Sequence, residues 1–226
     1  MGATLDTFSI KPPHKFFETY LNNDLNKLSN YLLDIQDKVF TENLFNIPDD
    51  ILVKYKDNRP GTLTQLGIKY YNVFTFVNSE IYNLKNALKQ LTKEACNYYQ
   101  IDFEKSEYYI HGWFNADRPT ENKSYGVNPI KNPHHFHDHS GGIGIPYFHG
   151  YYCVDAEPSS TFYQIDRNPN NIFENVNKNN RAILSETGHP HGRDDWFFDQ
   201  QRITIAYDIT PLNNLQNEIP NKWMPL

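Results

Sequence analysis

The chain has 226 residues, of which 38% are hydrophobic, 21% charged and 15% aromatic, with a formal net charge of -6. That length can bury a core without disulfides, as one domain or as one domain with a helical extension. The acidic balance argues against a general nucleic-acid binder, which carries a basic face, and no apolar run approaches a membrane span.

Met1 to Pro13 lacks a basic segment followed by an apolar stretch, so no secretory leader is expected there. Asn23 to Phe40 predicts a helix, because Leu25, Leu28, Leu32, Ile35 and Val39 recur at three- and four-residue steps on one face. Residues 41 to 62 read as a loop broken by Pro48, Pro60 and Gly61. A stronger helix is predicted from Ser79 to about Tyr99. Its N-cap is read as Ser79, with Glu80 in the first turn and Ile81, Leu84, Leu88, Leu91 and Ala95 as its apolar stripe. The only cysteines, Cys96 and Cys153, sit in apolar patterns and are expected as buried thiols, so a reducing cytoplasm is the default compartment.

After residue 105, short aromatic and β-branched runs alternate with turn residues. Strands are expected at Glu107 to Asn115, Gly150 to Asp155, Thr161 to Asp166, Ala182 to Ser185 and Gln201 to Ile209. Asn168 to Asn180 reads as an Asn-rich loop. The fold class is mainly β with N-terminal helices (α+β). A helical region, 1–104, is expected to pack on a β core, 105–226, in one compact domain. Antiparallel strands in this number favour a jelly roll, the double-stranded β-helix, or a barrel.

The chemistry concentrates in histidines. The segment Pro133-His134-His135-Phe136-His137-Asp138-His139-Ser140 is dense in them, and Gly188-His189-Pro190-His191 follows about fifty residues later. On an extended backbone, residues two apart face the same way. His135 with His137, or His137 with His139, can therefore face one ion. Two ligands from one strand end and a third from a later strand match the facial arrangement of non-haem iron(II) sites, which leaves positions open for a cosubstrate and oxygen. The competing reading is an ordinary set of surface or satisfied core histidines. Arg202 opens an alternating strand in which residues 202, 204 and 206 share a face. An arginine beside the hydroxyl of Thr204 suits bidentate binding of a carboxylate, against a plain surface ion pair as the alternative.

Together these residues resemble the 2-oxoglutarate/iron(II)-dependent oxygenase superfamily, and most closely a subgroup common in bacteriophages and marine bacteria. The matching pieces are Trp113-Phe114-Asn115, His135-Phe136-His137 with Ser140, His149-Gly150-Tyr151-Tyr152, His191 and Arg202-Ile203-Thr204. They run in the family's order over about residues 105 to 210. The resemblance implies His135, His137 and His191 as ligands to Fe(II). It implies Arg202 as the anchor for the far carboxylate of 2-oxoglutarate, with Thr204 assisting and Tyr152 or Tyr163 lining the cosubstrate pocket. The implied reaction is oxidative decarboxylation of 2-oxoglutarate to succinate and CO2, coupled through O2 to hydroxylation of an unidentified substrate. The implied setting is a cytoplasm, as a phage-encoded protein in its host, with no membrane or nucleic-acid partner.

The sequence also departs from the family pattern. The usual second ligand is the acid of a His-x-Asp motif, but Asp138 directly follows His137, out of phase. Either a histidine replaces the acid, with Asp138 and His139 both open as alternatives, or a bulge reorients Asp138. Gly141-Gly142-Ile143-Gly144 reads as an insertion able to act as a flap. His191 lies eleven residues before Arg202, the family-like spacing, and is preferred to His189. Asp194, Asp195, Trp196 and Phe197 either line the substrate mouth or form an ordinary loop. Two rival readings stand beside the oxygenase: a cupin-like three-His metalloprotein without 2-oxoglutarate, and a non-catalytic jelly roll serving as a virion or binding component.

Overall fold

A computed structural model describes residues 13–55, 62–117, 136–139, 147–193, 201–215 and 222–226. The elements run β1 (Phe17–Tyr20), α1 (Leu25–Thr41), α2 (Asp49–Tyr55), α3 (Thr62–Tyr70), α4 (Ser79–Tyr98), β2 (Tyr108–Asp117), β3 (Phe148–Asp155), β4 (Ser160–Gln164), β5 (Ile172–Val176), β6 (Arg181–Glu186), β7 (His191–Arg193), β8 (Arg202–Pro211) and β9 (Met224–Pro225). Six strands form one antiparallel sheet in the order β1-β6-β3-β8-β2-β9, and three form a second in the order β5-β4-β7. Both long helices form where periodicity predicts them. No helix among the described residues is long and apolar enough to cross a membrane.

Local chemistry sets the helix ends. Asp24 caps α1 by accepting from the Lys27 amide at 3.0 Å. The cap of α4 is Asn78 rather than Ser79. The Asn78 side chain accepts from the Glu80 and Ile81 amides at 2.9 and 3.2 Å, as an Asx side chain reaches more easily than the hydroxyl one residue later. Ser79 instead donates to the Glu80 carboxylate, which also meets Lys27 of α1 at 3.0 Å and so ties the two helix starts together.

The large sheet has one apolar face and one polar face, because side chains alternate along each strand. Phe114, Phe148, Tyr152, Leu184, Ile203, Ile205, Tyr207 and Ile209 form the apolar face. Helices α1, α3 and α4 cover it, and Leu28, Leu32, Leu84, Leu88 and Leu91 complete the core. The polar face looks the other way, toward the three-stranded sheet. The two are joined by Asn175 of β5, which donates to the Tyr151 hydroxyl at 3.1 Å and accepts from Arg181 at 2.8 Å.

Several elements are absent from the sequence expectation. The 41–62 loop contains α2, and the Asn-rich 168–180 stretch contains β5. β5 is a mostly exposed edge strand, so its composition lacks the buried alternation that marks a strand. β1, β7 and β9 have four, three and two residues, too few for any period to register. β1 also means that the N-terminal region supplies a strand to the sheet, beside β6, as well as helices.

Close backbone approach requires glycine at position 150, in the middle of the large sheet. A Cβ there would lie 1.9 Å from the Ile183 carbonyl oxygen and 2.6 Å from the Tyr207 ring. The ring can shift, but the paired β6 backbone cannot shift without breaking its ladder. Gly150→Ala is expected to cost about 2–3 kcal/mol, at the upper end of overpacking. The measurement is urea unfolding: a lower midpoint at unchanged slope is expected, and an unchanged midpoint would contradict this packing.

Candidate metal centre

The register of the central strands decides which groups meet. On β8, Arg202, Thr204, Ala206 and Asp208 point to the polar side. Opposite them on β2 lie Asp117, Asn115, Trp113 and His111. On β3, Cys153, Tyr151 and His149 face the same side, opposite Thr204, Ala206 and Asp208. The interior between the two sheets is therefore lined by polar and aromatic groups, with imidazoles at one end and a guanidinium at the other.

The histidines reach this interior by two routes. His149 is delivered by β3. His137 pairs with His191 of β7 as an isolated antiparallel bridge, with amide-to-carbonyl distances of 3.0 and 2.8 Å. Directly opposed residues share a side, and the two ring centroids are 4.4 Å apart. His139, two residues on, shares that side, with its ring 5.2 Å from His191 and 4.0 Å from His149. The donor atoms of His137, His139 and His191 all lie within 4.8 Å of one another. His135, expected as a ligand, lies outside the described residues, as do Ser140, Gly141 to Gly144 and Asp194 to Phe197.

Asp138 points the other way and pairs with Arg167 at 2.7 Å, so it is not in the imidazole group. His189 also turns aside. Its Nδ1 accepts the Asp166 amide at 3.0 Å, and its ring lies 3.8 Å from His14. His14, Glu186 and His189 form a second compact group of potential ligands. The amide on His189 Nδ1 forces the imidazole hydrogen onto Nε2, which leaves that nitrogen without a lone pair for an ion.

One carboxylate organises the first group. Asp208 meets His139 Nδ1 at 3.0 Å and His149 Nδ1 at 2.8 Å. An ionised carboxylate can only accept, so both imidazoles donate from Nδ1 and keep the Nε2 lone pair. His191 Nδ1 faces the His189 carbonyl at 3.5 Å, which favours the same tautomer. Burial raises the Asp208 pKa, but His139 and His149 together hold it well below the usual carboxylate range. Burial, with His139 alongside, pushes His149 down to about 4. Burial and the neighbouring imidazoles take His191 well below its ordinary value. In His139, burial is outweighed by the Asp208 charge, and the pKa is raised. Trp113 stacks on His139 and closes that side of the group at a centroid distance of 5.7 Å.

This donor set fits a divalent transition metal. Neutral imidazoles are borderline ligands at about 2.0–2.1 Å from an ion, so neighbouring donors of a facial set stand roughly 3 Å apart. Donor atoms within 4.8 Å of one another reach that separation by side-chain rotation. Three protein ligands leave further positions open.

At the other end, Arg202 is 4% exposed, and its Nε donates to Ser159 Oγ at 3.2 Å. Its cross-strand neighbour Asp117 is taken by Arg193. Among the described residues no carboxylate lies within 4.0 Å of Arg202. Thr204 is buried on the same face. Tyr152, expected to line the cosubstrate pocket, stands on the opposite, helix-facing side, with its hydroxyl 2.5 Å from Asn180 Oδ1. The period-two alternation turns Tyr151 inward in its place. Tyr163, opposite His191 on β4, does face the interior, and its buried hydroxyl has no hydrogen-bond partner among the described residues.

The functional groups that sequence reasoning missed are Asp208 and His149. The alternation that put 202, 204 and 206 on one face reaches 208 in the next step. His149 was legible as a strand residue but not as a member of the cluster.

No protein-family model matches the sequence, and no curated protein matches it. Solved structures do match in shape. EvdMO1 superposes with a TM-score of 0.52 at 16% identity, over 88% of this chain and 47% of EvdMO1, which shows a common fold. A 2OG-Fe(II) oxygenase family oxidoreductase from Burkholderia pseudomallei is similar over 59% of this chain and 57% of its own, at 12% identity and a TM-score of 0.40. HygX from Streptomyces hygroscopicus, with nickel and 2-oxoglutarate bound, is similar over 88% and 84%, at 12% identity and a TM-score of 0.47. The chain thus spans about half the length of EvdMO1 and of the Burkholderia protein.

His139, His149 and Asp208 form a third compact group that shares His139 with the first, and the groups around His191 and His14 separate by mutation. His191→Ala should weaken Co(II) binding by more than the roughly 10–100-fold typical of losing an outer partner, whereas His14→Ala should leave it unchanged. Calorimetric titration reads both. Equal affinities in the two variants would mean that the imidazole group around His191 is not the metal centre.

Proposed function

We propose that the chain is an iron(II)- and 2-oxoglutarate-dependent oxygenase built on a double-stranded β-helix. His137, His139 and His191 would hold the metal, and Arg202 would bind the far carboxylate of the cosubstrate. The observation that carries the reading is a buried guanidinium with no carboxylate partner among the described residues, on the same interior face as an imidazole group of which His191 is buried, His139 partly buried and His137 exposed. A buried charge left unpaired is costly, which supports an anion as its missing partner. The contrast with Arg181 is instructive. That arginine is equally buried but meets Asn175, the Val176 carbonyl and Glu18. Ser159, which Arg202 contacts, stands four residues from Tyr163, and Tyr163 is paired with His191. That is roughly 13 Å of strand, a span that an ion and an extended five-carbon dicarboxylate can fill.

When bound, Fe(II) supplies the redox chemistry with O2, in the overall balance substrate + O2 + 2-oxoglutarate → hydroxylated substrate + succinate + CO2. The chain's own residues do the rest. Arg202 offers a planar fork to one carboxylate, with the Thr204 hydroxyl beside it. The Tyr163 hydroxyl can donate to the same ligand, which would satisfy a buried group without a partner among the described residues. Trp113, Tyr151 and Tyr163 wall the interior and keep bulk water from it. The three-histidine donor set, with no acidic ligand, also supports a second reading: a cupin-like metalloprotein that does not use 2-oxoglutarate.

One variant separates the two. Arg202→Ala removes a charge-assisted contact of about 2–5 kcal/mol, equivalent to tens- to thousands-fold. The KM for 2-oxoglutarate should rise by that factor while Fe(II) affinity stays within a few-fold, read by succinate release and anaerobic titration. Stoichiometric metal with no succinate from the wild-type chain would favour the second reading. Loss of metal in Arg202→Ala would contradict the assigned role.

A further inference from the structure

The geometry points to Asp208 as the positioning residue of the metal centre: a buried carboxylate, one imidazole removed from the ion, that supplies the negative charge the three-histidine ligand set lacks. The inference rests on the metal-site reading above and extends it to a residue that touches neither the ion nor a substrate.

Three observations carry it. First, Asp208 is turned inward by the β8 register and meets two imidazoles, His139 at 3.0 Å and His149 at 2.8 Å. Among the described residues its hydrogen bonds are to those two rings. Second, Asp138, the acid nearest the ligands in sequence, pairs with Arg167. Third, His149 and His191 are buried and His139 and Asp208 nearly so, with His137 the exposed member, so charge around Asp208 is poorly screened and a carboxylate acts on the ion through the intervening ring. Outer carboxylates of this kind fix the ring orientation and tautomer of a ligand histidine and raise its basicity.

The double contact acts through charge. An amide in its place keeps an oxygen able to accept from both rings, since His139 Nδ1 and His149 Nδ1 lie 3.0 and 2.8 Å from the same carboxylate oxygen. Asp208→Asn therefore removes the charge at nearly constant volume and shape, whereas a purely structural aspartate would tolerate the exchange.

The test uses the full chain and Co(II) alone. Asp208→Asn should bind Co(II) about 10–100-fold more weakly than wild type, with its visible absorption bands shifted. In the metal-free wild type at alkaline pH, nitrogen-15 spectra should show His139 and His149 both protonated at Nδ1. Unchanged Co(II) affinity in a folded Asp208→Asn overturns the inference. So do wild-type spectra with His139 protonated at Nε2, which can be read even if the variant fails to fold. Neither readout involves turnover. A wild type that binds Co(II) but makes no succinate removes only the oxygenase reading, whereas one that binds no Co(II) removes the metal centre and this inference together.

Discussion

β8 is paired on both edges, to β2 and to β3, and every one of its ten residues is buried. A strand in that position has no solvent side, so each of its two faces must be matched by something. One face, Ile203, Ile205, Tyr207 and Ile209, is matched by helices. The other carries Arg202, Thr204 and Asp208 into the interior, where polar groups are costly unless they are satisfied. The helical layer, the second sheet and the imidazole group are three answers to that one demand. The apolar face and the helices that cover it together make up most of the core.

The two faces reach satisfaction differently. At the Asp208 end the polar groups satisfy each other, with carboxylate against imidazole and Trp113 stacked over His139. At the Arg202 end they do not, because Asp117 is drawn off by Arg193 and, among the described residues, Ser159 alone accepts from the guanidinium. That asymmetry gives the interior a direction. A ligand entering it meets lone pairs at one end and N–H donors at the other, which suits a molecule with one anionic end free and the other held at a metal.

What the sequence reveals follows from periodicity. α1, α4 and the long strands β2, β3 and β8 announce themselves because each repeats its pattern several times. β7 is three residues long, yet it carries His191, and only tertiary pairing with Tyr163 and His137 makes it a strand. The two histidine segments were legible from composition. Which of their nitrogens meet was not, since that depends on a backbone bridge between residues more than fifty positions apart. Tyr152 illustrates the sharpest failure: a one-residue error of phase moves a side chain through the sheet to its other face. Asp208 lay within the expected strand, but its role was hidden because the imidazoles it meets come from other elements.

The bridge between His137 and His191 joins the 136–139 segment to β7 through two backbone hydrogen bonds. An ion held by side chains on both sides would add bonds across that same seam. Loading and docking of the segment would then be a single thermodynamic event. Its free energy would scale as RT ln(1 + [ion]/Kd), so each hundredfold excess over Kd is worth about 2.7 kcal/mol of added resistance to unfolding. The protein would thus sense ion availability through how firmly this seam is fastened, and protease susceptibility at the seam would track the metal concentration of its surroundings.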